Sequence, residues 1–339
     1  MKKAALAALE KNDTHYTHSM GKRELRGEIA RYYKRSYNVD VSPEQVLVTS
    51  GTSPALLLVF SALLEPGEQV LLSDPYYACY PNFIRYAGGE PLCVPVREED
   101  GFKFRKEDIE ARLTPQVRGI MVNSPANPTG NVFSAAELLS IAELAAEGRY
   151  LLSDEIYHGL NYGGKDHSVL EFTDRAFVFN GFSKKFAMTG WRLGYVIAPP
   201  EFVRPLQTLQ QNLFISACSF SQEAAVAALR DCDAQVEEML AVYDKRRKYL
   251  LGRLQQMGIA PAVPPTGAFY MLANVKSYTD DSYAFAFEVL EQAGVAVTPG
   301  IDFGPNLEGY LRLSYANSLE NIEEGMDRLE AFLAERKRV

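Results

Sequence analysis

Cysteine is scarce in this chain. The four thiols, Cys79, Cys93, Cys218 and Cys232, form no CxxC pair in 339 residues, which excludes a disulfide scaffold and leaves them as buried or idle groups. Histidine is equally sparse, and although His15 and His18 stand three apart, no carboxylate or cysteine cluster accompanies them, so no metal site is read. An excess of positive charge is also missing. A formal net charge of -8 and a pI near 5.3 exclude a binder of phosphate backbones, which needs clustered Lys and Arg; the basic run Lys245, Arg246, Arg247, Lys248 reads as a solvated helix face. No stretch approaches the roughly 18 to 20 apolar residues that span a bilayer, and the N-terminus has no apolar signal-peptide core. The expectation is a soluble, cytoplasmic protein with no nucleic-acid or membrane partner. Low-complexity tracts and fixed-period repeats are absent too, which excludes a disordered chain or a solenoid.

What is present is ordinary globular composition, 47% hydrophobic and 23% charged, over a length that suits a large domain with a smaller companion. Short apolar runs alternate with longer helical patterns, the signature of βαβ units and a mostly parallel sheet. Strands are expected at 45–49, 69–73, 117–122, 150–153 and 176–180, and helices at 2–10, 22–35, 54–64 and 135–147. Ser134 and Glu137 have the spacing of a capping box before the last of these helices. A single long helix is expected over 221–257, ending at Gly258, as the link to a smaller α+β unit with strands at 267–273 and 310–315 and helices at 282–293 and 318–335. The expected division is an N-terminal segment 1–20 packing near the small domain, a large domain 21–230 and a small domain 231–339.

In open α/β sheets ligands bind beyond the carboxyl ends of the strands, and here the residues just past each apolar run are rich in chemistry. Gly51, Thr52 and Ser53 follow the first run and precede a helix, so free N–H groups and the positive end of a helix dipole are offered to a phosphate. Asn127 lies in the proline-stiffened run SPANPTG, Asp154 and Tyr157 follow the fourth strand, and Ser183 and Lys184 follow the fifth, with Arg192 eight residues beyond the lysine. Taken singly these are turn formers, an N-cap and a solvated lysine. Taken together they match pyridoxal phosphate, which requires a lysine amine, an acid opposite the pyridine nitrogen, and donors for its phenolate oxygen and phosphate.

The runs SPANPTG (124–130), SDEIYHGLNY (153–162), NGFSKKFAMTGWRLGY (180–195) and GYLRLSYA (309–316) resemble the class I and II aminotransferases of pyridoxal-phosphate fold type I, from about residue 12 onward. The resemblance implies that Lys184 is the Schiff-base lysine and proton shuttle. It further implies that Asp154 pairs with the pyridinium nitrogen, Tyr157 and Asn127 bond the phenolate oxygen, and Tyr77 stacks on the ring. Arg192, with Gly51, Thr52, Ser53 and Ser183, would hold the phosphate; Arg312 would fork onto the substrate carboxylate, with Asn127 beside it. Tyr16 would reach the phosphate of the neighbouring subunit in a homodimer. Small-molecule substrates, an amino acid and a 2-oxo acid, are implied.

The departures are informative. Gly181 stands where many relatives carry a phosphate-binding serine, and Ser53 where relatives favouring aspartate often carry lysine, which leans the expectation toward neutral or aromatic donors. The family's N-terminal arm has no counterpart before HYTHS, since Met1 is read as part of the first helix; the expectation is a chain that binds cofactor and dimerises but transaminates poorly beside an arm-extended form. Two other functions compete: a carbon–sulfur β-lyase, which begins with the same α-proton abstraction by Lys184, and a transcription regulator, which would need a basic DNA-binding domain. GLNYGGKD at 159–166 approaches a nucleotide P-loop, but Asp166 replaces the required hydroxyl, so it reads as a turn-rich loop.

Overall fold

The computed structural model describes residues 1–145 and 148–336. Seven strands form the central sheet: β1 (Val46–Thr49), β2 (Gln69–Asp74), β3 (Glu90–Pro95), β4 (Val117–Asn123), β5 (Tyr150–Asp154), β6 (Ala176–Gly181) and β7 (Gly194–Ile197), in the spatial order β1-β7-β6-β5-β4-β2-β3. Only β7 runs against its neighbours, so the carboxyl ends of the other six open along one edge. A second sheet orders β8 (Tyr270–Asn274), β10 (Tyr310–Ser314) and β9 (Thr298–Pro299), all antiparallel. The helices are α1 (Lys2–Glu10), α2 (Arg23–Tyr37), α3 (Thr52–Leu63), α4 (Cys79–Tyr86), α5 (Lys106–Glu110), α6 (Ala135–Ala145), α7 (Pro200–Leu213), α8 (Ser219–Asp231), α9 (Asp233–Met257), α10 (Ser282–Glu288) and α11 (Leu319–Ala334).

Period-two alternation gives each central strand two buried faces. Val46, Val48, Leu151, Val178 and Tyr195 enter one core with α2 and α8 residues such as Ile29 and Ala225. Leu47, Leu152, Phe177, Phe179 and Val196 enter another with Leu56, Val59 and Phe60 of α3. A third core gathers Leu250 and Leu254 of α9, Phe285, Leu311 and Leu329 around the small sheet.

Several expectations need correction. The run over 221–257 is two helices, because the chain leaves α8 at Cys232 (φ -114, ψ 16) before α9 begins. Asp231 and Asp233 flank that residue, and Asp233 in the first turn of α9 favours a fresh N-terminus over a continued helix. No glycine or proline marks the break, so periodicity ran through it. Strands β3 and β7 were not anticipated: β3 carries two prolines and pairs only with β2 at the sheet edge, where proline is tolerated, while β7 is four residues long. The helix read over 135–147 is seen to Ala145, and 146–147 lie outside the described residues. Its capping box is present, with Ser134 N–H donating to Glu137 Oε2 at 2.6 Å and Glu137 N–H to Ser134 Oγ at 3.3 Å. Helix α1 lies on α8 and places Ala5 in the α2/α8 core, and Met1 is its N-cap rather than a helical residue. In the P-loop-like segment Asp166 accepts the Gly159 N–H at 2.6 Å, a carboxylate used to close a turn.

Candidate active site

Five of the aligned strand ends, those of β1, β2, β4, β5 and β6, carry predicted residues, and β10 of the small sheet carries Arg312. At the end of β1, Gly51 takes φ +96 as the N-cap of α3 and offers no side-chain cap, so the first-turn N–H groups of Thr52 and Ser53 stay available to an anion. Arg192 leaves a short 3-10 turn in the left-handed region, φ 50, and donates from Nη1 to the Thr189 carbonyl at 3.0 Å. A Cβ on Gly51 would stand 2.7 Å from Arg192 Nη2. The missing side chain is therefore what lets the guanidinium approach the helix N-terminus. Two sources of positive potential converge there, and the donor set fits a phosphate. Ser183 is half-buried in the turn that leads to Lys184.

Asp154 ends β5 fully enclosed, with Oδ2 accepting from Tyr80 Oη at 2.7 Å and Oδ1 from the Ile156 N–H at 3.1 Å. Burial pushes its carboxyl above the usual range, against the pull of those donors, His158 and Lys184. A buried carboxylate with that desolvation cost suits a cationic N–H partner. Its neighbour Glu155 points to the opposite face of the strand, where Ser153, Ser168, Tyr33 and the Val169 N–H supply hydrogen bonds of 2.9–3.2 Å. Two adjacent acids are thus committed to different tasks, one to the site and one to anchoring the strand end.

Lys184, just past β6, sends Nζ between the rings of Tyr157 and Phe269, at 5.7 and 5.4 Å from their centroids, and no protein group among the described residues hydrogen-bonds it. Burial draws its ammonium below the ordinary lysine value; Arg312 and Arg192 add to this and Asp154 opposes it. A lysine held toward its neutral form is a lysine that can attack and abstract.

From β10, Arg312 reaches across to the other half of the chain, donating from Nη1 to Asn127 Oδ1 at 2.8 Å and from Nη2 to Thr298 Oγ1 at 3.2 Å. Its guanidinium lies between the rings of Tyr270 (4.3 Å) and Phe303 (4.6 Å). The Nε group is buried without a partner, an unmet donor that a carboxylate would satisfy. Because Asn127 turns Oδ1 toward Arg312, its amide Nδ2 is left as a donor. Tyr157 Oη donates to Tyr270 Oη at 3.0 Å, and burial holds the phenol well above its usual range.

Tyr77 follows β2 and meets Tyr80 edge to face at 5.4 Å. Tyr16 is not brought to this cluster: it is 84% exposed between α1 and α2. Sequence reasoning missed Tyr80, Tyr270 and Thr298. Only Tyr80 had a local signal, three residues beyond Tyr77 and so on the same side of a helical turn. Gly181 also gains an explanation, since a Cβ there would lie 2.9 Å from Gly194 Cα and 3.0 Å from the Leu193 carbonyl oxygen; the close β6–β7 contact excludes the serine of many relatives.

The sequence signature of aminotransferase class I and II matches residues 1–329. A (5-formylfuran-3-yl)methyl phosphate transaminase of Methanocaldococcus jannaschii is 40% identical over 333 residues, covering 97% of this chain and 86% of that protein. An aspartate aminotransferase of Pyrococcus abyssi is 39% identical over 345 residues, covering 99% and 88%. The crystal structure of an aromatic aminotransferase from Pyrococcus horikoshii superposes with a TM-score of 0.95 at 38% identity, covering 98% of this chain and 91% of that one. The carbon–sulfur lyase alternative finds no support among them. By this signature over nearly its whole length and by these relatives, the chain belongs to the class I and II aminotransferases, pyridoxal-phosphate-dependent transferases of amino groups.

Proposed function

We propose that the enzyme transfers the amino group of neutral or aromatic amino acids to a 2-oxo acid, as a cytoplasmic homodimer in which Tyr16 of each protomer reaches the phosphate held by the other. The observation that supports the donor preference is that, within the chain, the charged groups that shift Lys184 are Asp154, Arg312 and Arg192. With Arg192 assigned to the phosphate and Arg312 to the α-carboxylate, no cation in that set remains for a second substrate carboxylate. Ser53 stands where a lysine would supply one, and Tyr77, Phe269, Tyr270 and Phe303 offer aromatic surface instead.

Pyridoxal phosphate, when bound, supplies a ring that accepts the electron pair left on the substrate α-carbon. The protein does the rest in this reading. Gly51, Thr52, Ser53, Ser183 and Arg192 would hold the phosphate, Tyr77 would cover the ring, and Asn127 and Tyr157 would donate to the phenolate oxygen. Asp154 would favour a proton on the ring nitrogen by charge pairing. Arg312 orients the amino acid through its carboxylate with a fork that lysine lacks, and Lys184 Nζ takes the α-proton and returns it. The same reading divides the chain into a segment 1–20, a cofactor domain 21–230 and a small domain 231–339, supported by the separate core around Leu250, Phe285, Leu311 and Leu329.

The test is a panel of alanine, leucine, phenylalanine and aspartate against 2-oxoglutarate, pyruvate and oxaloacetate. Specificity constants for leucine or phenylalanine are expected to exceed that for aspartate by roughly tenfold or more, the scale of one unpaired buried carboxylate. A constant for aspartate far above the other three overturns the donor assignment.

A further inference from the structure

Two loops that bring site residues from opposite halves of the chain are fastened together by an asparagine outside the site. Asn306 follows the 3-10 turn Gly300–Phe303. Its Nδ2 donates to the carbonyl oxygens of Asp74 at 2.9 Å and Val96 at 2.5 Å, so one amide joins the ends of the neighbouring strands β2 and β3. Its backbone N–H donates to Asp74 Oδ1 at 3.2 Å. The Tyr76 N–H donates in turn to the Phe303 carbonyl at 2.9 Å. Between these bonds Gly304 takes φ +121, and a Cβ there would collide with Asp74 Oδ1. The large-sheet turn that carries Tyr77 and the loop that carries Phe303 are thus joined through three hydrogen bonds and a close contact at Gly304, and a fourth bond ties the loop to the end of β3. Phe303 lies on the Arg312 guanidinium.

We propose that Asn306 and Asp74 are positioning residues for substrate binding, their contact holding Phe303, and through it Arg312, at the separation from the Tyr77 turn at which an amino-acid carboxylate is gripped. The inference rests on the reading of Arg312 as the carboxylate fork. The bland alternative is a stitch that holds the protein together without bearing on the site. The two differ in what they require of the side chains. Asn306→Asp preserves shape but cannot donate to the two carbonyls, whereas Asp74→Asn keeps an oxygen that accepts the Asn306 N–H. Burial already lifts the Asp74 carboxyl to about 6, with the Asn306 N–H opposing, so a neutral acceptor at that position introduces no new desolvation cost.

The holoenzyme is titrated with hydrocinnamate, a monocarboxylate that lacks the reacting amine, followed by the cofactor absorbance, alongside KM, kcat and the cofactor dissociation constant. Asn306→Asp and Asn306→Ala are expected to weaken hydrocinnamate and raise KM roughly tenfold, with kcat and cofactor affinity within about threefold. Asp74→Asn is expected to stay within about twofold of the parent. Phe303→Leu, which removes the ring over Arg312 and leaves the hydrogen bonds, is expected to reproduce the loss of carboxylate affinity, and it serves as the test should an Asn306 variant fail to fold. Unchanged hydrocinnamate affinity in Asn306→Asp or in Phe303→Leu, or a matching loss of cofactor, overturns the proposal. A parent enzyme that transaminates yet ignores hydrocinnamate overturns the reading of Arg312 and this inference with it.

Discussion

Lys184→Ala is expected to yield a folded chain that binds pyridoxal phosphate without a covalent link and loses amino transfer by roughly four orders of magnitude, the upper range for a general acid–base group. The fold should survive because, among the described residues, no group hydrogen-bonds the lysine Nζ, which lies between the rings of Tyr157 and Phe269. The proposed phosphate site at Gly51 and Arg192 is assembled from other elements, so anchoring is expected to persist. What disappears is the amine whose proton affinity burial has lowered and which no neighbour replaces. Lys185 cannot stand in, since its Nζ lies 4.5 Å from the ring centroid of Tyr32, with Tyr32 Oη at 3.4 Å. The measurement is single-turnover absorbance with a good amino donor. A variant that retains more than about a hundredth of the parent rate shows that another base serves the α-carbon.

Asp154→Ala is expected to cost several orders of magnitude in turnover, with phosphate anchoring retained. The carboxylate is desolvated by burial and, among the described residues, accepts from two donors, Tyr80 Oη and the Ile156 N–H. In a site that excludes water, its attraction for a protonated ring nitrogen is much stronger than in solvent, and removal of such a preorganised charge is typically worth ~3 kcal/mol or more. Asp154→Asn should fall nearly as far despite matching shape, because it removes the charge and keeps the volume. Steady-state kcat for both variants at matched cofactor occupancy checks this. Near-parent turnover in either contradicts the assigned role.

Much of the fold was legible because the central strands are buried on both faces and end in polar and small residues. Val46, Leu47 and Val48 enter both layers, as do Leu151 and Leu152, and such runs announce themselves in composition. The candidate site residues were placed by the same signal, since Gly51, Asn127, Asp154 and Lys184 all sit within a few residues of a strand end. Elements that escaped were those whose signals are weak or tertiary. An edge strand with two prolines, a four-residue strand between antiparallel neighbours, and a helix break without glycine or proline carry no periodic mark. Long-range partners escaped as well: Thr298 and Phe303 meet Arg312 only because β9 and the turn after it pack beside β10, and Tyr80 meets Asp154 across 74 positions of sequence. The assignment of Tyr16 depends on a second protomer and could not be read from one chain's packing.

The central claim is that one lysine, Lys184, carries the cofactor and the proton. Borohydride reduction of the purified holoenzyme, followed by proteolysis and mass mapping of the pyridoxyl group, tests it directly. The account predicts the label on Lys184 at near one equivalent per chain and no label in Lys184→Ala. A label on Lys185 or any other lysine, with Lys184 unmodified, would contradict it.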